Sequence, residues 1–528
     1  MGCHIFEPVV IPRFDGGLNF LGDPIALQDH EWTWSDGFEP RDGTALQMLD
    51  LVTLNDGTWL PASHFLIGIV QDCRNAGDLL LTVGDTGRGT LVDLYSRNHL
   101  TGVFALESAT TAAAGNTVVP LPAVLGNLQL LVGGGQGAES VFTWNGSTTA
   151  LVNPSGFALT PTVLVVAQGH ALAVDTFTAA DRRSVWISDA LDGTVWDPGI
   201  GNSADIIDLD AQGDIVALAE SADGAVVITT NEAFLFHSTG GVDPPFTVVR
   251  YTGGGCPYGI QRIVHTSSGT IYLHGDHLAS LGGSPVPGGE KCSTYFLRGT
   301  QTFNPETTQF IWDPRRSAII MPRVALSGPA VAVTERMYFE PTRQVWWRKS
   351  QETPLVTGLF HSFIHTFVPE PAGGGTYYAA IAGLESVNNP NAGLLMSEST
   401  VDPLTSTAGM TNAFVDTKDF SFSSPSVDDY YDRIVVDWER YTSDTTLAVY
   451  AYVRETLFPS GHINLTGNHT DFSAQFTLLG TLQDNQSEVR IRRRGAYARF
   501  RFQVTAGRGR IRGFTLYRQR GSDRPKGS

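Results

Sequence analysis

The sequence predicts an all-β protein: a β-propeller of six or seven blades, preceded by an N-terminal arm and followed by an antiparallel β-sandwich. Three observations lead there. Helical periodicity is nearly absent, and short apolar runs alternate with Gly, Asp or Asn turns. Several successive runs start roughly 35–55 residues apart, the size of a four-stranded blade. Beyond about residue 427 the runs give way to strict apolar/polar alternation, the mark of a half-buried antiparallel sheet. Four segments follow: an arm and anchoring segment over 1–50, the propeller over 51–400, a connector over 401–426, and a sandwich with a basic end over 427–528.

The arm does not read as a blade. It holds Gly16-Gly17-Leu18-Asn19, the Trp-rich stretch Glu31-Trp32-Thr33-Trp34, and Arg41-Asp42-Gly43. The expected blade strands begin with Leu79-Leu80-Leu81-Thr82-Val83, Leu128-Gln129-Leu130-Leu131-Val132 and Val163-Leu164-Val165-Val166-Ala167. They continue through Ile215–Leu218, Ala225–Ile228 and Thr270–Leu273 to Val331–Val333, Met337–Phe339 and Tyr377–Ile381. Inner strands buried against neighbouring blades should be apolar, and these runs fit that pattern. A row of stacked β-sandwiches would show similar strand lengths and is the alternative architecture. The connector is rich in Ser, Thr, Asp and Pro. In the sandwich, Ile434, Val436 and Trp438 should share a face, as should Leu447, Val449, Ala451 and Val453. Ala498, Phe500, Phe502 and Val504 should oppose Tyr497, Arg499, Arg501 and Gln503, and a phase slip at Gly513 predicts a bulge.

Charge is unevenly placed. The chain has 528 residues and a formal net charge of −18. From Arg490 onward twelve Arg and Lys526 face the single acid Asp523, a balance of +12, which leaves −30 on the first 489 residues. An acidic body gains nothing from counterion release, so binding of nucleic acid over the whole surface is not expected. Charged residues are 17% and hydrophobic residues 42%, which excludes a disordered or coiled-coil chain. No apolar run reaches the ~20 residues of a membrane-spanning helix. The N-terminus lacks the pattern of a secretory signal, and Phe6 stands where a myristoylation motif needs Ser or Thr. The sequons at Asn145, Asn464, Asn468 and Asn485 therefore read as chance occurrences. Cys3, Cys73, Cys256 and Cys292 have no metal-ligand spacing and read as isolated buried thiols.

Motifs for chemistry are weak. His274 and His277 lack the i, i+4 spacing of a helical zinc site and read as a polar turn. Asp208–Asp214 lacks the terminal Glu of a calcium loop. Ser184, His170 and Asp175 have no Gly-x-Ser-x-Gly frame, and Gly133–Gly137 lies between two strands, where it forms a hairpin rather than a phosphate cradle. No catalytic, cofactor-binding or metal-binding residue is assigned. The candidate interface is Arg492, Arg493 and Arg494 with Arg508, Arg510 and Arg512, on two strands that could pair. It reads as a solvated face, as a docking patch for an acidic neighbour through bidentate arginines, or as a DNA contact.

The order of the arm motifs carries a resemblance. Gly16-Gly17-Leu18-Asn19, Asp29-His30-Glu31-Trp32, Asp36-Gly37 and Arg41-Asp42-Gly43 are followed by Ser184–Gly193 with Trp196-Asp197-Pro198. Then come Gly253–Ile260 and Thr270–Leu273, and at the end Arg499-Phe500-Arg501-Phe502 and Arg512-Gly513-Phe514-Thr515-Leu516-Tyr517. This series resembles the tail hub and nozzle (tail tubular protein B-like) family of short-tailed bacteriophages. The resemblance implies a structural virion protein of the tail rather than an enzyme. It would form an oligomeric ring, typically a hexamer, below the portal and adaptor. Its partners would be copies of itself, a head–tail adaptor, tail fibre or tailspike proteins, and viral DNA crossing the lumen without sequence-specific binding. No cofactor is expected. A carbohydrate-active or receptor-binding propeller, and a head decoration or spike-attachment protein, are the alternatives.

Overall fold

A computed structural model describes residues 6–20, 26–49, 52–53, 59–61, 64–72, 74–75, 77–85, 91–113, 123–125, 129–133, 141–144, 161–175, 182–241, 244–255, 263–274, 277–292, 310–327, 330–350, 361–369, 375–383, 395–398, 412–422, 427–454, 475–484 and 486–520. The protein is all-β, and among the described residues its strands form nine antiparallel sheets. No helix there is long and apolar enough to cross a membrane.

Seven sheets are small and follow one another along the chain. The first joins His64–Gln71, Leu79–Asp85, Leu91–Arg97 and Phe104–Ala113, and the second Ala123–Leu125, Gln129–Gly133 and Val141–Trp144. The third is Val163–Ala167, His170–Val174, Ser184–Ile187 and Asp205–Asp208; the fourth is Ile215–Ser221, Gly224–Thr229, Glu232–Ser238 and Phe246–Thr252. The fifth is Ile263–Thr266, Gly269–His274 and His277–Ser280, and the sixth Ile311–Asp313, Ala318–Ser327, Ala330–Glu340 and Val345–Ser350. Val331–Val333 and Met337–Phe339, expected as two runs, belong to the single strand Ala330–Glu340. The seventh sheet has His361–Pro369, Gly375–Gly383 and Leu395–Glu398, and its fourth strand comes from far upstream: Val52–Thr53 pairs with Ser397 and Met396.

From the second sheet to the seventh, the first strand of each packs against the first strand of the next. The first strand of the seventh sheet then packs against His64–Gln71 of the first. Arg74 of the first sheet's opening turn lies over the Trp144 ring of the second, 4.8 Å from its centroid. Trp196, fully buried with its indole N–H donated to the Gly193 carbonyl, fills the space between the second and third sheets beside Leu125, Leu164 and Ala173.

The other two sheets combine the two ends of the chain. One runs Phe38–Arg41, Thr44–Gln47, Gly509–Gln519, Asp429–Arg440, Glu488–Gly495, with Glu7–Ile11 also paired to Gly509–Gln519. The other runs Trp32–Asp36, Phe414–Thr417, Tyr497–Ala506, Thr446–Arg454, Thr477–Leu482. The segment expected as a separate arm is thus four strands of the C-terminal sandwich, and Phe414–Thr417 sits inside the stretch expected as a connector. Phe14 locks the arm in place edge-on to Phe502 and Phe514, one from each sheet. Arg41-Asp42-Gly43 makes the hairpin between two of the arm strands, and Asp42 and Gly43 have φ of 49° and 79°, the left-handed pair of a type I′ turn.

The expected alternation holds at Ile434, Val436, Leu447, Val449, Ala451, Phe500 and Phe502, all buried. The bulge at Gly513 is present: Asp437 pairs with Gly513 and Trp438 with Ile511, so Arg512 is the extra residue. Gly513 is required there, since a Cβ would stand 2.2 Å from the Ile11 carbonyl oxygen. One buried cluster runs through the sandwich, the arm and the sixth small sheet, taking in Ile11, Trp32, Phe514, Tyr338 and Trp346. The sandwich and the sixth sheet therefore share a core.

Candidate functional site: the arginines of the sandwich

The arm meets the sixth sheet through a polar seam. Leu18 N donates to the Trp346 carbonyl at 2.7 Å, and Gly17, at φ 68°, leaves no room for a Cβ, which would lie 2.6 Å from that same oxygen. Buried Arg316 bridges Glu39 of the arm at 2.6 Å and Asp313 at 2.8 Å. Arg348 donates to the Ser35 carbonyl, pairs with Glu335 at 2.8 Å and stacks over Trp34 at 4.2 Å. Glu31 accepts from Gln28 N, from Asn19 and from Lys291 Nζ. Burial pushes its carboxyl up, but these three donors outweigh burial and hold it below the ordinary value.

Beside this seam lies a cleft of about 680 Å³ lined by Arg13, Asp15, Asp42, Arg343, Asp437, Arg510 and Arg512 among others. Its guanidiniums are already engaged within the chain: Arg13 with Asp15 at 2.9 Å, Arg343 with Glu340 at 2.6 Å, and Arg510 and Arg512 both with Glu439. The Arg510 hydrogen bond is the chief cause holding the Glu439 carboxyl below its ordinary range, against some burial. Burial opposes the Arg510 charge, yet Glu439 raises that guanidinium above its ordinary value. The cleft is lined by ion pairs local to the arm, the sixth sheet and the sandwich, and Arg343 also donates to the Pro40 carbonyl of the arm.

The six sequence-selected arginines do not form one patch. The strands Glu488–Gly495 and Gly509–Gln519, which by sequence could pair, instead flank Asp429–Arg440 on opposite sides. Arg493 is opposite Tyr431 and Arg510 opposite Glu439, eight residues along the same strand. At the rise of a β-strand that is a separation of ~27 Å. Arg508 is buried, donates to the Gln47 carbonyl at 3.2 Å and lies over Tyr441. Arg510 and Arg512 are held by Glu439. Arg493 reaches Thr477 Oγ1 at 3.3 Å. That leaves Arg492 and Arg494, both exposed on an edge strand, and with them Arg490, which the sequence reading missed. The alternation Arg490, Arg492, Arg494 was the available signal. Arg492, at φ 51°, sits at a bulge opposite Asp432 that separates the Arg490 and Arg493 pairings.

Part of the C-terminal positive charge is neutralised inside the sandwich. Asp419 receives Arg499 Nε at 2.7 Å and also pairs with Arg454, while Asp416 takes Arg501 through two hydrogen bonds of 2.6 and 2.8 Å. All five side chains are at least nine-tenths buried. Arg499 and Arg501, placed by alternation on the outward face, are thus buried because connector acids cover them.

The weaker motifs are dispersed. Ser184 Oγ donates to Asp208 at 2.6 Å, and His170 Nδ1 contacts the Ser188 carbonyl rather than Ser184. Asp214 pairs with Arg182 and Arg183. His274 and His277 face each other across a strand pair with ring centroids 5.1 Å apart. Among the described residues no three His, Cys, Asp or Glu are grouped to hold a metal ion. Cys292 is buried, and burial pushes its thiol well up. Cys3, Cys73, Cys256, the four sequons and Gly134–Gly137 lie outside the described residues, although the strands flanking that glycine run pair as a hairpin requires.

No protein-family model matches the chain, and no curated protein matches it.

Proposed function

We propose that this chain is a structural subunit of a phage tail, a hub or nozzle protein that assembles into a ring through which DNA leaves the particle. In this reading the seven small sheets are blades of a closed propeller, and Val52–Thr53 completes the last blade from the upstream end. The observation that carries it is the return of the seventh sheet onto the first, together with that upstream strand. Stacked sandwiches have no reason to return to their starting point. The order of the arm motifs supports the family, and the structure gives those motifs one physical theme. Gly17, the Asp42-Gly43 turn and Trp32 and Trp34 join the arm to the sandwich and the sixth sheet, while Trp196 fills a sheet junction.

The activity is mechanical. A propeller welded by a shared core to a sandwich is a stiff block, suited to repetition around an axis. The body is acidic, and like charge along a lumen keeps phosphates from sticking as DNA passes. Conduction then belongs to the space between subunits, with the head–tail adaptor above and fibre or spike proteins at the side as neighbours. Native mass spectrometry of the purified chain tests this. Closed oligomers of one size, six copies by the family resemblance, are expected; a monomer at every concentration would overturn the ring.

A further inference from the structure

Three arginines stand exposed along the edge strand of the sandwich. We propose that the Arg490–Arg492–Arg494 edge of one copy docks against an acidic, aliphatic-tipped patch on the third and fourth small sheets of the next copy. This rests on the ring reading and names the surfaces that would build it.

The donor surface is specific. Arg490, Arg492 and Arg494 are exposed and have no side-chain partner among the described residues, whereas Arg433, Arg440, Arg510, Arg512 and Arg518 each meet a carboxylate. Exposed charge on an edge strand often serves only to discourage unwanted pairing. Here the adjoining strand also exposes Leu478 by 52%, next to Thr477, which is hydrogen-bonded to Arg493. A row of free guanidiniums beside an exposed aliphatic is the composition of an interface with charged rim and apolar centre.

The receiving surface is its complement. Between Arg183 and Arg250 the chain has eleven Asp and Glu and no Lys or Arg. Two of the most exposed apolar side chains of the described residues lie within it, Leu191 at 65% and Ile200 at 110%. Two hydrogen bonds draw this region together: Leu191 N donates to the Gly169 carbonyl, and Gln168 Nε2 donates to the Ala222 carbonyl. They bring the Leu191–Asp192 turn beside Asp223 at the same end of both sheets. The loop carrying Asp197 and Ile200 is itself fixed, since Asp189 Oδ1 accepts from Ser203 N and Oγ and Asn202 Oδ1 accepts from Gly199 N. The Asp197 and Asp223 side chains are exposed, and their carboxylates have no partner among the described residues. Acidic, aliphatic-tipped loops held by their own hydrogen bonds lose little entropy on docking. Because the two surfaces differ and lie on different sheets, the contact is heterologous, the kind that closes a ring.

The test uses the full chain and two charge-reversed variants, Arg490→Glu/Arg492→Glu/Arg494→Glu and Asp197→Lys/Asp223→Lys, each followed by sedimentation velocity at low salt. Each variant alone should self-associate at least tenfold more weakly than the wild type. An equimolar mixture should reassemble, because every contact in an alternating ring is again between opposite charges, and reassembly also shows that both variants are folded. Wild-type association by both variants would overturn this docking while leaving the ring intact. Dissociated variants that fail to recombine would overturn the pairing of these two surfaces. A wild-type chain that stays monomeric would instead overturn the ring itself.

Discussion

Removing the carboxylate of Asp419 should cost more stability than any exposed ion pair in the sandwich. Asp419 is 1% exposed and faces two guanidiniums, Arg499 at 2.7 Å and Arg454, whose side chains are only 2% and 8% exposed. In Asp419→Ala both cations stay in the interior with their counter-charge gone. Arg454 already titrates below its ordinary value because of burial, so losing Asp419 removes the main support of its charge. Breaking a buried pair from one side costs about 3–5 kcal/mol. At roughly 2–4 °C per kcal/mol for a unit of this size, the melting temperature should fall by about 6–20 °C. Scanning calorimetry of the purified chain reads this directly. Replacing all three residues with apolar ones of similar size should recover most of the loss, since the pair's net worth is small even though its rupture is costly. A melting temperature for Asp419→Ala within 2 °C of wild type would show that the two guanidiniums do not depend on this carboxylate.

Three further outcomes follow from particular contacts. Gly513→Ala should push the Glu7–Ile11 strand off the sheet, because the new Cβ meets the Ile11 carbonyl at 2.2 Å; faster amide hydrogen exchange over residues 7–11 is expected, and unchanged protection would contradict it. Glu31 has its folded pKa depressed from an ordinary 4.5, so its stabilising effect is present above that value and fades as pH falls through the lower folded one. Glu31→Gln should therefore flatten the acid limb of the stability curve, and identical limbs for the two proteins would count against the Glu31–Lys291 clamp. Deleting residues 1–49 should leave a chain that exposes the apolar faces covered by Phe14 and Trp32 and aggregates; a soluble, cooperatively folding truncation would show that the arm is dispensable.

The strand texture was legible because apolar runs and period-two alternation are local signals, and both survive at Leu79–Val83, Val163–Ala167 and Leu447–Ala451. The slip at Gly513 was legible for the same reason. What could not be read was pairing across the chain. Glu7–Ile11 meets residues 514–518, and nothing in five residues announces a partner some five hundred positions away. Val52–Thr53 is two residues long, too short for any periodicity. The polar composition around Phe414–Thr417 hid a strand, because Asp416 and Asp419 serve as buried counter-ions rather than as solvated loop residues. The arginines illustrate the same limit. Sequence counts twelve of them after residue 489, but which are free depends on where Asp416, Asp419, Glu439 and Gln47 arrive in space.

An electron cryomicroscopy reconstruction of the purified assembly would show whether a propeller-and-sandwich subunit is repeated around a DNA-conducting axis. A closed ring is expected, in which each subunit shows seven radial sheets, the last completed by Val52–Thr53, around an axial channel wide enough for a DNA duplex. A monomer, or a subunit in which residues 64–398 form separate sandwiches instead of one closed circle, would contradict it.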